Sequence, residues 1–313
     1  MEILVDIVLP VFGVAALGYL ATRLDWFTAE AEAGLAKFVF DFAVPLMLFR
    51  SLATAELPAS LPLGYFASYY LSAATVATLG FLLARYVFGR TYGGQVITGF
   101  GFGFGNTVLL GLPLILTTFG DDAALPFFIL LSVHGLAFFT TTTLLLELDR
   151  HAGGTSRRQM VRQIVAALFT NPILLGIFAG LAMQALSLEL TGPVEAICAL
   201  MQQAVTPCAL FSLGAALTRY GIAGRLGQSL VLVFGKIVVM PALVYLLASH
   251  VFHIEPLWTQ VAVVMAAQPT GIMTYIFAKK YDVGQAIATT SVFLSTTLSM
   301  VSLSVLLWLF EVR

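Results

Sequence analysis

Gly101-Phe102-Gly103-Phe104-Gly105-Asn106-Thr107, followed by Gly111-Leu112-Pro113, and Ala267-Gln268-Pro269-Thr270-Gly271 are the two stretches that decide how this chain is read. Each interrupts an apolar run long enough to cross a bilayer. Glycine lowers helix stability and proline lacks an amide donor, so both stretches predict backbone groups freed from the helical ladder. Lipid tolerates such groups only where protein or a cavity satisfies them. Two broken membrane helices are therefore expected, whose half-helix N-termini present amides and partial positive charge. Asn106, Thr107, Gln268 and Thr270 add hydrogen-bonding side chains, with Gly105 and Pro269 at the breaks themselves. Together they form a candidate binding site for a carboxylate near the bilayer midplane. The competing reading is that the glycines only let helices pack closely. A nucleotide loop is excluded for Gly101-x-Gly-x-Gly, because no strand precedes it.

Composition supports a membrane setting. Of the 313 residues, 59% are hydrophobic and 10% charged, and the mean hydropathy is +0.97. Soluble domains carry about a quarter charged residues. An apolar window finds spans near 3-22, 34-50, 62-85, 93-118, 123-147, 164-187, 193-217, 226-249, 257-278 and 284-310. Each reaches the roughly 20 residues that a crossing needs. The first span follows Met1-Glu2 and contains Asp6 instead of a basic region, so it reads as a retained helix and not a cleaved signal. The loops after odd-numbered spans hold Arg23, Arg85, Arg90, Arg150, Arg157, Arg158, Arg162, Arg219, Arg225, Lys279 and Lys280; the other face holds Arg50 and Arg313. The positive-inside rule then places the basic loops in the cytoplasm and both termini outside. With a net charge of −1, nothing suggests a nucleic-acid partner, and Cys198 and Cys208 read as small packing residues.

An internal repeat organises the spans. One offset of 162 aligns Pro10 with Pro172, Gly18 with Gly180, Pro45 with Pro207, Phe49 with Phe211, Ala53 with Ala215 and Asn106 with Gln268. The expected fold is all-α and integral to the membrane, with ten helices in two five-helix repeats. These occupy residues 1-150 and 164-313, joined by a cytoplasmic linker at 151-163. An odd number of crossings per half inverts the second relative to the first, as in many secondary transporters.

Ionisable residues inside spans are costly, about 2.5-3.5 kcal/mol each on insertion scales, so each calls for a partner or a function. Lys236 lies near the middle of span eight, where it either balances a substrate carboxylate or holds carbonyl oxygens at a helix break. Lys37 and Asp41 share a helix face at i, i+4 spacing and form an ion pair, unless Asp41 instead couples proton movement. His134, in span five, either packs with a hydrogen-bond partner or serves a proton step. Glu147, at the end of the same span, is expected to meet an arginine.

The run Asn106-Thr107-Val108-Leu109-Leu110-Gly111-Leu112-Pro113 resembles the fourth-helix motif of the auxin efflux carrier family. Gln268-Pro269-Thr270-Gly271 and Ile276-Phe277-Ala278-Lys279-Lys280-Tyr281 are similar to its ninth helix. Phe42-Ala43-Val44-Pro45-Leu46, Gly235-Lys236 and Pro241 extend the resemblance over nearly the whole chain. It implies a bile-acid-transporter-like fold with a scaffold of spans 1, 2, 6 and 7. The mobile domain would be spans 3-5 and 8-10, with broken helices four and nine crossing inside it. It further implies elevator-like transport, and bacterial members are commonly linked to malonate or other small carboxylates. By the same resemblance Asp41 falls on the scaffold, away from substrate, and a surface with Phe42, Phe49 and Phe211 supports a homodimer.

Two features depart from the family. The long hydrophilic central loop of plant members is absent, and Gly105 stands where they often carry proline. Sodium-coupled bile-acid carriers use an acidic residue on the ninth helix, yet span nine has none between Leu257 and Ala278. A proton is thus favoured over Na+ as coupling ion. The sequence points to a secondary transporter or facilitator of a small organic anion in the inner (plasma) membrane. An anion channel and a sensor without transport are the alternatives. No cofactor is expected, and an enzyme is disfavoured because no His-Glu-x-x-His pattern accompanies His134.

Overall fold

The computed structural model describes residues 7–54, 63–150, 170–224 and 226–310, the side chains of 148–150 excepted. The expected linker at 151-163 lies outside the described residues, as do Asp6, Arg157, Arg158, Arg162, Arg225 and Arg313. The described residues form helices: α1 (Leu9–Arg23), α2 (Ala29–Phe38), α3 (Val44–Thr54), α4 (Leu63–Tyr86), α5 (Tyr92–Gly103), α6 (Leu112–Phe119) and α7 (Ala124–Arg150). After these come α8 (Pro172–Ala185), α9 (Gly192–Leu217), α10 (Leu226–Phe234), α11 (Met240–Leu246), α12 (Pro256–Ala266), α13 (Met273–Lys280) and α14 (Gln285–Leu309). A wide π-type turn, Val39–Ala43, joins α2 to α3, and another, Gly235–Val239, joins α10 to α11.

Among the described residues, five helical stretches are long and apolar enough to cross a membrane: Leu63–Tyr86, Asp121–Glu147, Gly192–Leu217, Leu226–Val251 and Gln285–Leu309. These are the expected third, fifth, seventh, eighth and tenth spans. The others are shorter, and the fourth and ninth are divided in the middle. Helix α2 starts earlier than the hydropathy window suggests, because Thr28 Oγ1 accepts from Ala31 N (3.3 Å) and caps it.

Polarity is distributed as bilayer packing requires. Leu17, Leu71, Val301 and Trp308 face outward, while Ser68, Ser72, Ser212, Ser229, Ser291 and Ser299 are fully enclosed or nearly so. Small hydroxyl residues inside let helices approach closely; Ser68, Ser72 and Ser299 return their donors to backbone carbonyls, Ser72 Oγ to that of Ser68 at 2.7 Å. Two close approaches form a matched pair. A Cβ on Gly18 would stand 2.1 Å from the Phe211 carbonyl oxygen, and one on Gly180 would stand 2.7 Å from that of Phe49. Helix α1 thus lies against α9 as α8 lies against α3, through residues that the offset of 162 relates.

Two ion pairs tie the second and seventh spans together at their ends. Arg50 donates through Nε and Nη2 to Glu195 Oε1 (3.0 and 2.8 Å) and through Nη1 to Gln202 (2.8 Å). At the other end Arg219 pairs with the buried Glu32. That end also gathers Arg90, which donates to Gln228 Oε1 (2.7 Å), so several basic loop residues share one side of the bundle.

Candidate functional site

The two helix-weakening clusters meet inside the bundle. Helix α5 stops at Gly103 and the chain resumes helical form at Thr107, in a wide turn that leads into α6. Helix α12 stops at Ala266 and α13 begins at Met273. Between them the extended segments cross as a short antiparallel bridge centred on Gly105 and Thr270. Asn106 N donates to the Pro269 carbonyl at 2.8 Å, and Gly271 N donates to the Phe104 carbonyl at 3.0 Å. Backbone groups released from one helix are thereby satisfied by the other. The non-helical segment in the ninth span, 267–272, is longer than that in the fourth, 104–106. Asn106 meets the backbone of Pro269 and not its sequence mate Gln268.

Gly105 is where close approach demands glycine. A Cβ there would lie 3.2 Å from both Gln268 Cβ and Lys236 Nζ. Lys236 is fully buried, and its Nζ donates to the Ala266 carbonyl and lies 3.3 Å from Met240 Sδ. The carbonyl it holds is the last of α12, one of the acceptors that a helix C-terminus leaves open. Of the two readings of Lys236, the bond to a carbonyl at the helix break is the one the structure draws.

A cavity of about 860 Å³ runs from the crossing to the basic end of the bundle. Its deep wall includes Gly105, Asn106, Thr107 and His134, and its mouth carries Arg219, Lys279 and Lys280. Gln268, Pro269 and Thr270 do not line it, and all three are buried. Gln268 Nε2 donates to the Val264 carbonyl (2.9 Å), while Thr270 donates its amide to Ser295 Oγ (3.0 Å) and its hydroxyl to the Gly101 carbonyl (3.3 Å). The six residues of the expected site are therefore brought together, but only those of the fourth span reach the cavity.

Two residues of the cavity wall, Asn106 and His134, carry buried polar atoms without a partner. Asn106 is 7% exposed and its Nδ2 has no hydrogen-bond partner; His134 is 1% exposed and neither ring nitrogen has one. The His134 ring stacks on Phe104 with centroids 5.0 Å apart and meets Phe138 (4.8 Å) and Tyr69 (5.7 Å). The packing histidine expected from the sequence is here, without the expected hydrogen bond. Asp41 pairs with Lys37 as anticipated, yet it also lines the cavity, contrary to its expected distance from substrate. Glu147 accepts from Tyr281 Oη at 2.9 Å.

Sequence reasoning overlooked Glu32, Arg219 and Tyr220 on the cavity wall. Glu32 and Arg219 lie at helix ends far apart in sequence, where charges are ordinarily solvated, so only the mirrored Arg50 and Glu195 could have hinted at them. Burial pushes the Tyr220 hydroxyl up to about 12, which keeps it a hydrogen-bond donor at the mouth. Phe42 is exposed, whereas Phe211 is engaged edge-on by Phe27 at 5.1 Å, leaving less of the suggested dimer surface free.

Apolar helices around a deep cavity that ends on crossed, interrupted helices define a multi-pass membrane protein built to hold a small solute. The model of the family described as "Membrane transport protein" matches residues 3–307, and the chain belongs to this family, that of the auxin efflux carriers. Its relatives agree over nearly their full lengths. It is 29% identical over 315 residues to the "Putative malonate transporter" of Rhizobium meliloti (strain 1021), covering 99% of this chain and 96% of that protein. "Auxin efflux carrier component 8" of Arabidopsis thaliana is 23% identical over 341 residues, 92% of each chain. An "Uncharacterized transporter" of Methanothermobacter thermautotrophicus is 27% identical over 314 residues, 95% of each. These names indicate transporters and not enzymes.

Proposed function

We propose that this protein is a secondary carrier of a small carboxylate, malonate or a close analogue, across the inner (plasma) membrane. The observation that carries the reading is the unpartnered Asn106 amide at the deep end of the cavity, beside the interrupted fourth helix. A buried donor without a partner costs about 1–3 kcal/mol, which a bound carboxylate oxygen returns. The N-terminal amides of the half-helix beginning at Thr107 and the basic mouth favour the same charge. The name of the Rhizobium relative supports malonate as the first solute to try.

The matched contacts of Gly18 and Gly180 support two inverted five-helix halves. On that architecture spans 1, 2, 6 and 7 form the scaffold, braced by the Glu32–Arg219 and Arg50–Glu195 pairs, and spans 3-5 and 8-10 carry the crossing through the membrane. With basic loops in the cytoplasm and both termini outside, the cavity is the inward-facing one. The coupling ion in this reading is H+ rather than Na+, since Lys236 already supplies a cation at the carbonyl end of α12 and span nine has no carboxylate. A homodimer through the scaffold is compatible with the exposed Phe42.

Uptake of radiolabelled malonate into proteoliposomes, with a proton gradient or an inside-negative potential imposed separately, is the test. Saturable uptake that shows counterflow and is lost in Asn106→Ala supports a carrier using this site. Non-saturating flux without counterflow identifies a channel instead, and undiminished uptake by Asn106→Ala removes the crossing as the binding site.

A further inference from the structure

The cavity has a second unpartnered polar group, and its chemistry narrows the ligand. His134 lines the same deep wall as Asn106, with both ring nitrogens buried and unbonded. The two side chains are linked through Phe104, whose ring stacks on His134 and whose backbone is two extended residues from Asn106, about 7 Å of chain. No carboxylate is hydrogen-bonded to the imidazole. Tyr69 of α4 meets it edge-on, Lys236 of the eighth span is bonded to the Ala266 carbonyl, and Asp41 and Glu32 line the cavity, each already paired. An uncharged imidazole offers one donor and one acceptor. A carboxylate end can use only the donor and leaves the other nitrogen orphaned; a carboxyl, hydroxyl or amide end can use both.

We propose that His134 is a specificity-determining residue that binds the far end of the substrate. The site then selects a monoanion whose second polar group both donates and accepts a hydrogen bond. For a dicarboxylic acid this is the half-protonated form, with its carboxylate at Asn106 and its neutral carboxyl at His134. The inference rests on the carboxylate reading above and goes beyond it by fixing the protonation state and the second functional group. A proton would then cross on the substrate itself.

The test is a binding titration of the full-length purified protein, read as the ligand-dependent rise of its unfolding midpoint at about pH 5.5 and about pH 8. Four probes separate the possibilities: malonate; malonamate, whose amide donates and accepts at either pH; monomethyl malonate, whose ester only accepts; and acetate. Malonamate is expected to bind equally at both pH values, and malonate to weaken about tenfold per pH unit once its half-protonated form is depleted. Monomethyl malonate and acetate should bind at least about tenfold more weakly than malonamate, the usual order for an orphaned buried partner. His134→Ala should erase these differences, while His134→Gln, whose amide also donates and accepts, should keep the preference for malonamate and guards against misfolding of the alanine variant. Equal malonate affinity at both pH values, or an undiminished malonamate preference in His134→Ala, overturns the proposal and leaves the carboxylate reading intact. Failure of all four acids to bind the wild-type protein overturns both.

Discussion

The breaks in the fourth and ninth helices look alike in sequence and differ in use. Both place a small or imino residue and an amide side chain mid-membrane, and each completes the other's backbone hydrogen bonds. The fourth-span break presents its side chains to the cavity and leaves the Asn106 Nδ2 without a partner. In the ninth, the Gln268 amide nitrogen donates to Val264, Thr270 bonds Gly101 and Ser295, and the terminal carbonyl of Ala266 accepts from Lys236; Gln268 Oε1 is buried without a partner but does not line the cavity. One break borders the cavity and the other is enclosed within the bundle. The two breaks are thus alike as backbone interruptions and differ in what their side chains meet.

Substitutions can test this difference. The largest effect is expected from Lys236→Ala, which strikes both sides: it empties a fully buried volume against Gly105 and orphans the Ala266 carbonyl. A stability loss of about 3 kcal/mol or more should appear as a lower unfolding midpoint in detergent; an unchanged midpoint would show that the amine holds nothing. Next is Asn106→Ala, expected to weaken malonate binding by about ten- to a hundredfold while leaving the midpoint nearly unchanged, because the donor it removes has no internal partner. Gln268→Ala should give the reverse pattern, a loss of about 1–2 kcal/mol in stability with affinity within about threefold of wild type. If the two variants exchanged these signatures, the ninth helix would be the binding member. The smallest effect, about 0.5 kcal/mol or less by thermal unfolding, is expected for Lys37→Ala, whose pair with Asp41 is largely exposed. A clear change in uptake by that variant would instead give Asp41 a part in transport.

Much of the site was legible because helix breaking is local. Glycine and proline act on their own turn of chain, so Gly101 to Pro113 and Ala267 to Gly271 mark their breaks wherever the helices pack. The equivalence of Asn106 and Gln268 is one of sequence position; that Asn106 N bonds the neighbouring Pro269 carbonyl depends on how the two segments lie against each other. The Lys37–Asp41 pair followed from i, i+4 geometry, but the exposure of Asp41 to the cavity did not, since that depends on how α2 sits against the crossing.

By itself the sequence determined the membrane class, the family and the positions of both breaks, since apolar content and helix-weakening residues act through composition and local backbone energetics. Only the tertiary structure decided which break faces the cavity, that Lys236 secures a carbonyl, that Glu32 meets Arg219, and that His134 stands unbonded beside Phe104. These depend on the rotation and depth of each helix against its neighbours. Those are set by the summed packing of distant residues, such as Gly18 on Phe211 and Gly105 on Gln268, that no single stretch of chain encodes.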